Sequence, residues 1–477
     1  MPAAVLAAKL PGAGVLAAAI AGSLVVVAAL ALLMRRRPEA FPLLAILALP
    51  FRLPISAEGR TVNLLIPLYL VVAAGTLAHL LPRLIERLSA SGPRPRREEA
   101  RGGDRLSLRE PASWFTTRGL SWLLLATVAL YALQTAYSSD PAKAAANLAF
   151  FYVPFGLLFL LLREVEWTRE LLLRCLAIAV GLAVLFAGVG FIEYARKSLF
   201  LNPKVVAANE FDNYFRVNSV FFDPNIYGRF LALVMIALAT VVLWTRRRRD
   251  VLIAAGVLAW LLGGLVTSFS QSSIAALLLG LAVLAAWRWS VRGTLYVSGA
   301  VLALGLALLL LAPASLHFGL KGSGGSTSNA TSGRTKLISG GLELFADRPL
   351  QGFGPGSFEK EYKLHNASAN NQNATTASHT IPVTIAAEQG ILGLALYILL
   401  VSSAVLVLFR GAGRSPPRIA IAACFAALVL HTWTYADFLE DPMTWTLLGV
   451  GVALAAAARR DPDALLGAAR TGPASSF

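Results

Sequence analysis

The sequence predicts an all-α polytopic membrane protein with about 12–13 transmembrane helices and one large extracytoplasmic loop that contains short helices. Of its 477 residues, 57% are apolar and 14% are charged, whereas soluble domains carry about 25% charged residues. Apolar runs of about 20 residues recur along the chain, which is the length that crosses a bilayer as a helix. A soluble protein of this composition would lack the polar residues that its surface requires.

Thirteen apolar segments are candidates for these helices. The first is followed by three arginines and not by a small-residue cleavage site, so we interpret it as a span and not as a signal peptide. The second is short and contains Arg52. Thirteen spans would place the N-terminus outside, and that side depends on these first two segments. The segments are 14–34, 41–55, 62–81, 120–136, 144–162, 171–192, 226–244, 251–266, 273–287, 293–312, 381–409, 419–435 and 444–458.

The order of these segments divides the chain into three regions. Residues 1–192 form an N-terminal transmembrane bundle with a basic cytoplasmic linker at 82–113. Residues 193–409 form a central region with two extracytoplasmic loops, at 193–225 and 312–379. Residues 410–477 supply the last transmembrane helices and a cytoplasmic tail. The loop at 312–379 is the one long polar segment between apolar runs, and we expect function to be located there.

Arginine-rich clusters orient the spans. The clusters all fall on one side of the predicted bundle, and the positive-inside rule makes that side cytoplasmic. They also account for the net charge of +16 without a nucleic-acid partner, because no aromatic residues that could stack on bases are interleaved with them. The clusters lie at 35–37, 83–109, 246–249, 288–292, 410–418 and 459–460.

The two cysteines, Cys175 and Cys424, both lie inside apolar runs, so we expect them to be small core residues. Their positions provide no disulfide framework. The chain also lacks a cluster of histidine, cysteine and aspartate with the spacing of a metal site. We therefore expect neither a metal nor another cofactor.

The first segment that could carry chemistry is YFRVNSVFFDPN, which ends at Asn225 before the seventh span. Asp223 is placed to cap that helix, and Pro224 is favoured in its first turn. A helix cap with flanking aromatic anchors explains these residues but leaves Arg216 unexplained. An arginine beside aromatic residues at the outer surface suits a lipid-linked phosphate, which it can bind with two hydrogen bonds. A snorkelling or ion-paired arginine is the alternative.

The second segment is TSGRTK, at 331–336, followed by apolar residues with helical period. Ser332 is a candidate N-cap, which would place Arg334 in the first turn of a short amphipathic helix. Free backbone N–H groups and the positive end of the helix dipole would then form an anion site beside Arg334. The alternative is a solvated arginine. The glycine turn LQGFGPG that follows lacks the lysine and flanking elements of a phosphate loop.

The third segment is SHTIP, at 378–382. Pro382 fits only in the first turn of the eleventh span, so His379 should lie at a helix N-terminus on the outer surface. The positive end of the dipole favours a neutral ring there, and a neutral histidine can act as a general base. A histidine that only caps the helix is the alternative. Arg52 is also a functional candidate, because arginine inside a span is costly unless it faces a polar cavity.

Four features in this order resemble the O-antigen ligase and polymerase family of bacterial envelopes. They are RVNSVFFDPN before a span, Gly-Arg opening a short helix, the turn DRPLQGFGPGSF, and a histidine with EQGILGL further along the chain. The resemblance covers about residues 216–398. It implies a GT-C-like fold and a multi-pass protein of the bacterial inner membrane that acts in cell-envelope or lipopolysaccharide biosynthesis.

The resemblance also implies a reaction. A glycan would move from an undecaprenyl-pyrophosphate carrier to an acceptor hydroxyl, without a metal and on the extracytoplasmic side. Arg216 and Arg334 would bind the pyrophosphate, with Arg52 as a third cation, and His379 would be the catalytic base. Asp223, Asn225, Gln271 and Glu388 are supporting candidates. Gln271 stands where the family often has arginine, so one positive charge is missing unless another residue such as Arg52 supplies it. Thr380 stands where the family often has asparagine.

Three other interpretations remain open from the sequence. A repeat-unit polymerase or a protein O-oligosaccharyltransferase would use the same chemistry on a different acceptor: a growing glycan or a protein in place of a lipid. A flippase for lipid-linked glycans should show an internal repeat and broken polar helices at mid-membrane, and neither pattern is evident. A scaffold protein would explain the spans but not the arginine segments.

Overall fold

The computed structural model describes residues 13–57, 60–89, 114–200, 215–299, 328–365, 378 and 380–460. Its first half contains the helices α1 (Ala13–Arg36), α2 (Ala40–Ala48), α3 (Ile66–Gly75), α4 (Leu81–Ser89), α5 (Thr117–Thr135), α6 (Pro141–Asn147), α7 (Val153–Arg163) and α8 (Arg169–Arg196). Its second half contains α9 (Pro224–Trp244), α10 (Arg248–Thr267), α11 (Gln271–Arg288), α12 (Ser328–Asp347), α13 (Phe358–His365), α14 (Ile381–Phe409), α15 (Pro416–Thr434) and α16 (Pro442–Arg460). Two strands, β1 (Leu53–Ala57) and β2 (Arg60–Leu64), form one antiparallel hairpin.

Nine helices in the described part of the chain are long and apolar enough to cross a membrane, which confirms the prediction of a helical multi-pass protein. Helices α3 and α4 form one crossing through a π-helical turn, and α6 and α7 form another in the same way. The other seven crossings are α1, α8, α9, α10, α11, α14 and α15. At the positions of the fourth and thirteenth predicted spans lie α5 and α16, each of 19 residues.

The predicted helix at 41–55 is wrong in its length. Helix α2 has only nine residues, or about 13 Å at 1.5 Å per residue, which is half the thickness of the hydrocarbon core. Pro50 follows it, and a proline interrupts the hydrogen bonding of a helix and disfavours helical geometry in the residue before it. The chain then forms the hairpin, in which Leu53 pairs with Leu64. The predicted tenth span, at 293–312, lies largely outside the described residues.

The buried apolar side chains form two main groups that do not follow the order of the chain. The first group joins α1–α3, α5–α7 and the start of α8 to α14 and α16, and the second joins the rest of α8 and α9–α11 to α15. Helix α15 contributes to both, with Phe425 in the first group and Leu428 in the second. Both cysteines are buried and free, which confirms that they are core residues. Helix α15 and the loop after it therefore connect the two halves of the bundle.

The helices end at two opposite faces, which we name from their residues. The polar end contains residues 138–140, 215–223, 268–271, 349–358 and 435–441, and the basic end contains residues 35–39, 164–169, 245–249, 288–290 and 410–416. At the polar end, the Ser139 N–H donates to the Phe353 carbonyl over 3.0 Å. At the basic end, Arg174 contacts Glu39 at 3.0 Å. The arginine clusters and the candidate site segments thus lie at opposite ends.

Candidate active site

The segment that carries Arg216 is fixed at the polar end by its neighbours on both sides. The Val217 N–H donates to the Thr267 carbonyl over 3.2 Å, at the end of α10. Ser219 has a φ of 52°, and its N–H donates to the Glu193 carboxylate over 2.8 Å. Because this segment is tied to both α8 and α10, it presents Arg216 from a rigid support.

Arg216 lies where α10 ends and where α9 and α11 begin. Its Nε donates to the Ser268 carbonyl over 3.2 Å, and its Nη2 lies 3.5 Å from Asn225 Oδ1. Asn225 Oδ1 also accepts from Ser270 Oγ over 2.9 Å. The guanidinium is half-buried, so it is held in place and still reaches the surface of the polar end. Arg216 and Asn225 were both predicted site residues, and the structure brings them together.

Asp223 caps α9 as predicted from the sequence. Its Oδ1 accepts from the Asn225 N–H over 2.6 Å, and Pro224 is the first residue of the helix. Asp223 is also hydrogen-bonded to the side chain of Tyr435. Gln271 is the first residue of α11 and is exposed. The side chain at this position is therefore a neutral amide, only a few residues from Ser268.

Arg52 lies between α2 and the hairpin, and it faces the polar end as the sequence suggested. It is half-buried. Burial raises the pKa of the Asp437 and Glu440 carboxyl groups, and Arg52 is close enough to both to oppose part of that rise. Asp437 is in turn within electrostatic range of Asp223. Arg52 thus belongs to the same polar end as Arg216, and it lies beyond the end of α2 instead of inside a transmembrane helix.

The loop at 435–441, between α15 and α16, was missed by the sequence reasoning. Its anchor is Arg229 on α9, whose Nη2 lies 2.6 Å from Asp441 Oδ2, with both side chains about 1–2% exposed. Arg229 Nη1 donates to the carbonyls of Ala436 and Asp437 at 3.3 Å and 3.4 Å. An arginine inside an apolar span is a signal that could have found this site.

Glu440, in the same loop, is hydrogen-bonded to Asn147 and lies near other carboxyl groups. Asn147 Nδ2 donates both to Glu440 Oε1 over 3.0 Å and to the Tyr131 hydroxyl over 3.1 Å. Burial, followed by the neighbouring Asp437 and Glu388, raises the pKa of Glu440 to about 8. The carboxyl group is nevertheless only half-buried. It therefore lies among other carboxyl groups and is still partly exposed at the polar end.

Glu388 does not face Arg216; it supports the glycine turn. Its Oε1 accepts from the Phe358 N–H over 3.0 Å, and its carbonyl accepts from the Gly354 N–H over 2.7 Å. Helix α14 is interrupted two residues later at Gly390, which has a φ of 65°. The turn thus satisfies carbonyls that the interrupted helix leaves without an internal donor.

We expect Gly390→Ala to destabilise the protein. An alanine there would adopt left-handed backbone geometry, at a cost of about 1–2 kcal/mol, and its Cβ would collide with the Leu350 carbonyl. Gly181→Ala in α8 is the matched control, because a Cβ there meets nothing within 4 Å and alanine favours a helix by about 0.5–1 kcal/mol. Thermal unfolding in detergent should show a lower midpoint for Gly390→Ala only. Equal midpoints would contradict the geometry of the turn.

Arg334 is not in the first turn of its helix, which corrects the expectation from Ser332. Helix α12 begins at Ser328, since the serine and asparagine there can begin a helix as well as Ser332 can. Arg334 is therefore in the second turn, where backbone N–H groups are bonded within the helix. The proposed anion site at free N–H groups is absent at this residue. The helix ends at Asp347.

His379 lies outside the described residues, but its two neighbours are fixed. Ser378 is buried, and its Oγ donates to the Thr380 carbonyl over 2.8 Å. The Ser378 N–H donates to Thr384 Oγ1 over 3.1 Å. Helix α14 begins at Ile381 with a proline in its first turn, as the sequence predicted. In the sequence, position 379 comes immediately before Thr380, the N-cap residue of α14.

No three histidine, cysteine, aspartate or glutamate side chains in the described part of the chain are arranged to hold a metal ion. A family model described as O-Antigen ligase matches residues 256–398 of the chain. This segment includes Gln271, Arg334, His379 and Glu388, whereas Arg52, Arg216 and Glu440 lie outside it. None of the curated proteins matches the chain.

Proposed function

We propose that this chain, which the match to O-antigen ligases assigns to the O-antigen ligase/polymerase family, is an inverting glycosyltransferase. It transfers a glycan from undecaprenyl pyrophosphate to an acceptor hydroxyl, without a metal. The observation that carries the proposal is the arrangement of the polar end. Arg216, Arg52 and the start of α14 lie at that end of the bundle, opposite the arginine clusters of the basic end.

This arrangement suits a reaction at the outer surface of the bacterial inner membrane. The positive-inside rule places the basic end in the cytoplasm, and the polar end therefore faces outward. A lipid-linked donor inserts its chain in the bilayer and presents its pyrophosphate at the polar end. Arginines hold such a group through paired, charge-assisted hydrogen bonds. Arg216 and Arg52 are supported by structure around them, and Arg334 on α12 would approach from the large loop.

The chemistry needs few groups, because a glycosyl pyrophosphate already carries a good leaving group. The acceptor oxygen attacks the anomeric carbon, and the bond from that carbon to the phosphate oxygen breaks. The electron pair departs with the pyrophosphate, whose growing charge the arginines stabilise by preorganised electrostatics. His379 takes the proton of the attacking hydroxyl. One displacement of this kind inverts the anomeric configuration.

The assay that tests this function uses the full chain in nanodiscs with an undecaprenyl-pyrophosphate-linked oligosaccharide. We expect transfer in the presence of EDTA to one of three acceptors: a lipid A–core glycolipid, a second molecule of the donor, or a serine- and threonine-containing peptide. The productive acceptor identifies a ligase, a polymerase or a protein O-oligosaccharyltransferase. Arg174→Ala, at the exposed basic end, is the control variant and should retain activity.

Two results would contradict the proposal. Transfer that EDTA abolishes and that a divalent cation restores would contradict the metal-independent mechanism. Movement of the donor between the leaflets of a proteoliposome, without transfer to any acceptor, would assign the chain to the lipid-linked glycan transporters.

A further inference from the structure

Glu440 and Asn147 present two hydrogen-bond acceptor atoms side by side at the polar end. Asn147 uses its Nδ2 to donate to Glu440 Oε1 and to the Tyr131 hydroxyl. Among the described residues, Glu440 Oε2 and Asn147 Oδ1 have no hydrogen-bond donor. Both side chains are half-buried. The two remaining oxygens are therefore held in place and can reach a ligand.

The support of this pair is rigid. Tyr131, which accepts from Asn147, is buried and packs against Tyr152 with ring centroids 4.1 Å apart. Asn147 lies at the end of α6, immediately before the π-helical turn that leads into α7. The next residue after Glu440 is Asp441, which Arg229 fixes. Neither partner can move away without breaking a contact in the core.

The charges around Glu440 and Asn147 differ from those of a phosphate-binding site. Carboxyl groups face Glu440 from its own loop and from α14, and one cation faces it from α6 and another from the segment after α2. These groups are Asp437, Glu388, Lys143 and Arg52. Burial raises the pKa of Glu440 to about 8, and above that pH its ionised carboxyl group would repel a pyrophosphate. The two oxygens instead suit neutral donors, and two adjacent hydroxyls of a sugar ring supply a matching pair.

Glu440 and Asn147 lie where a second substrate could bind beside a donor held at Arg216. Arg216 is supported by α9, α10 and α11 of the second packing group, whereas Asn147 and Tyr131 belong to α6 and α5 on the side of the first group. The loop at 435–441 connects the two sides, because Tyr435 contacts Asp223 and Glu440 contacts Asn147. A donor held at Arg216 and a ligand held at Glu440 would meet across this loop.

We propose that Glu440 and Asn147 form the acceptor subsite of the proposed glycosyltransferase and position a sugar acceptor through two neighbouring hydroxyls. This inference rests on the proposed function and specifies that the acceptor in the proposed reaction is a glycan. Glu440 acts as a positioning residue and accepts a hydrogen bond from the acceptor. The sugar can belong to a lipid-linked core or to a growing glycan, which present the same hydroxyls.

The test compares wild type with Glu440→Gln and Asn147→Leu in nanodiscs. We expect each variant to raise the KM for the glycan acceptor by about 10-fold, because Glu440→Gln weakens one hydrogen bond to the sugar and Asn147→Leu removes the other. Binding of undecaprenyl pyrophosphate should remain within about twofold of wild type. Since burial raises the pKa of Glu440 to about 8, the wild-type KM should fall as the pH rises through about 8, and Glu440→Gln should lack this fall. Glu39→Gln, exposed at the basic end, is the control.

Two probes distinguish the two possible sources of the acceptor sugar. A lipid A–core glycolipid represents the lipid-linked core, and a free oligosaccharide of the donor's repeat unit represents the growing glycan. Direct binding of these two probes to wild type and Glu440→Gln, measured without donor, tests the subsite even if no transfer occurs. The inference is overturned if the variants keep the acceptor KM and pH profile of wild type, if they bind both sugar probes as wild type does, or if only the peptide accepts the glycan. Failure of wild type to bind undecaprenyl pyrophosphate would instead reject the proposed function.

Discussion

Arg216→Ala is expected to reduce glycan transfer by about 10²–10³-fold, the effect of removing one preorganised donor from a developing negative charge. Arg216 is held in place at the polar end, since its guanidinium contacts the Ser268 carbonyl and Asn225 Oδ1. Its loss should also weaken the binding of undecaprenyl pyrophosphate. Transfer kinetics and a binding assay with that lipid, on the same nanodisc preparation, measure the two effects.

Arg216→Lys and His379→Ala provide the comparison. Lysine keeps the charge but cannot make the paired contacts of a guanidinium, so Arg216→Lys should recover only part of the activity. His379→Ala should lower kcat by about 10²–10⁴-fold, as for loss of a general base, and should leave binding of the lipid intact. Arg334→Ala should resemble Arg216→Ala if both arginines hold the pyrophosphate. Normal transfer and normal lipid binding by Arg216→Ala would exclude a role for Arg216.

Arg229→Met is expected to cost about 3–5 kcal/mol of stability, because it leaves Asp441 buried without its partner. The two side chains are about 1–2% exposed and 2.6 Å apart. Asp441→Leu should cost a similar amount for the same reason. The double variant Arg229→Met/Asp441→Leu should recover most of the loss, since a buried ion pair can be replaced by apolar side chains at little cost.

The exposed pair Arg174–Glu39 is the matched control. Its side chains are 49% and 51% exposed, and exposed ion pairs contribute only about 0–1 kcal/mol. Arg174→Met should therefore change the thermal midpoint in detergent little, and tryptophan fluorescence can follow all the variants. If Arg229→Met and Arg174→Met unfold at the same temperature, the buried pair does not hold the loop at 435–441.

Several parts of the fold depend only on residues that are close together in the sequence, and these parts can be predicted from it. Runs of apolar residues determine where most helices cross the membrane, since an apolar side chain is stable in lipid without any particular partner. Asp223 and Pro224 begin α9, and Pro382 begins α14, because caps and prolines act within one helical turn. The arginine clusters determine the basic end. Each of these features depends on neighbours along the chain.

The remaining features depend on partners that are distant in sequence, and only the tertiary structure decided them. Apolar composition alone suggested a span at 41–55, but α2 is a half-length helix whose chain turns back at the hairpin. Gly390 interrupts α14 and leaves carbonyls without a donor inside the helix. The glycine turn, more than 30 residues earlier in the sequence, supplies the N–H groups that bond to them. Arg229 meets Asp441 from a different helix, and Glu440 meets Asn147 across 293 positions. A single charged residue in a sequence does not reveal the group that neutralises it, because that group is brought to it only when the helices pack.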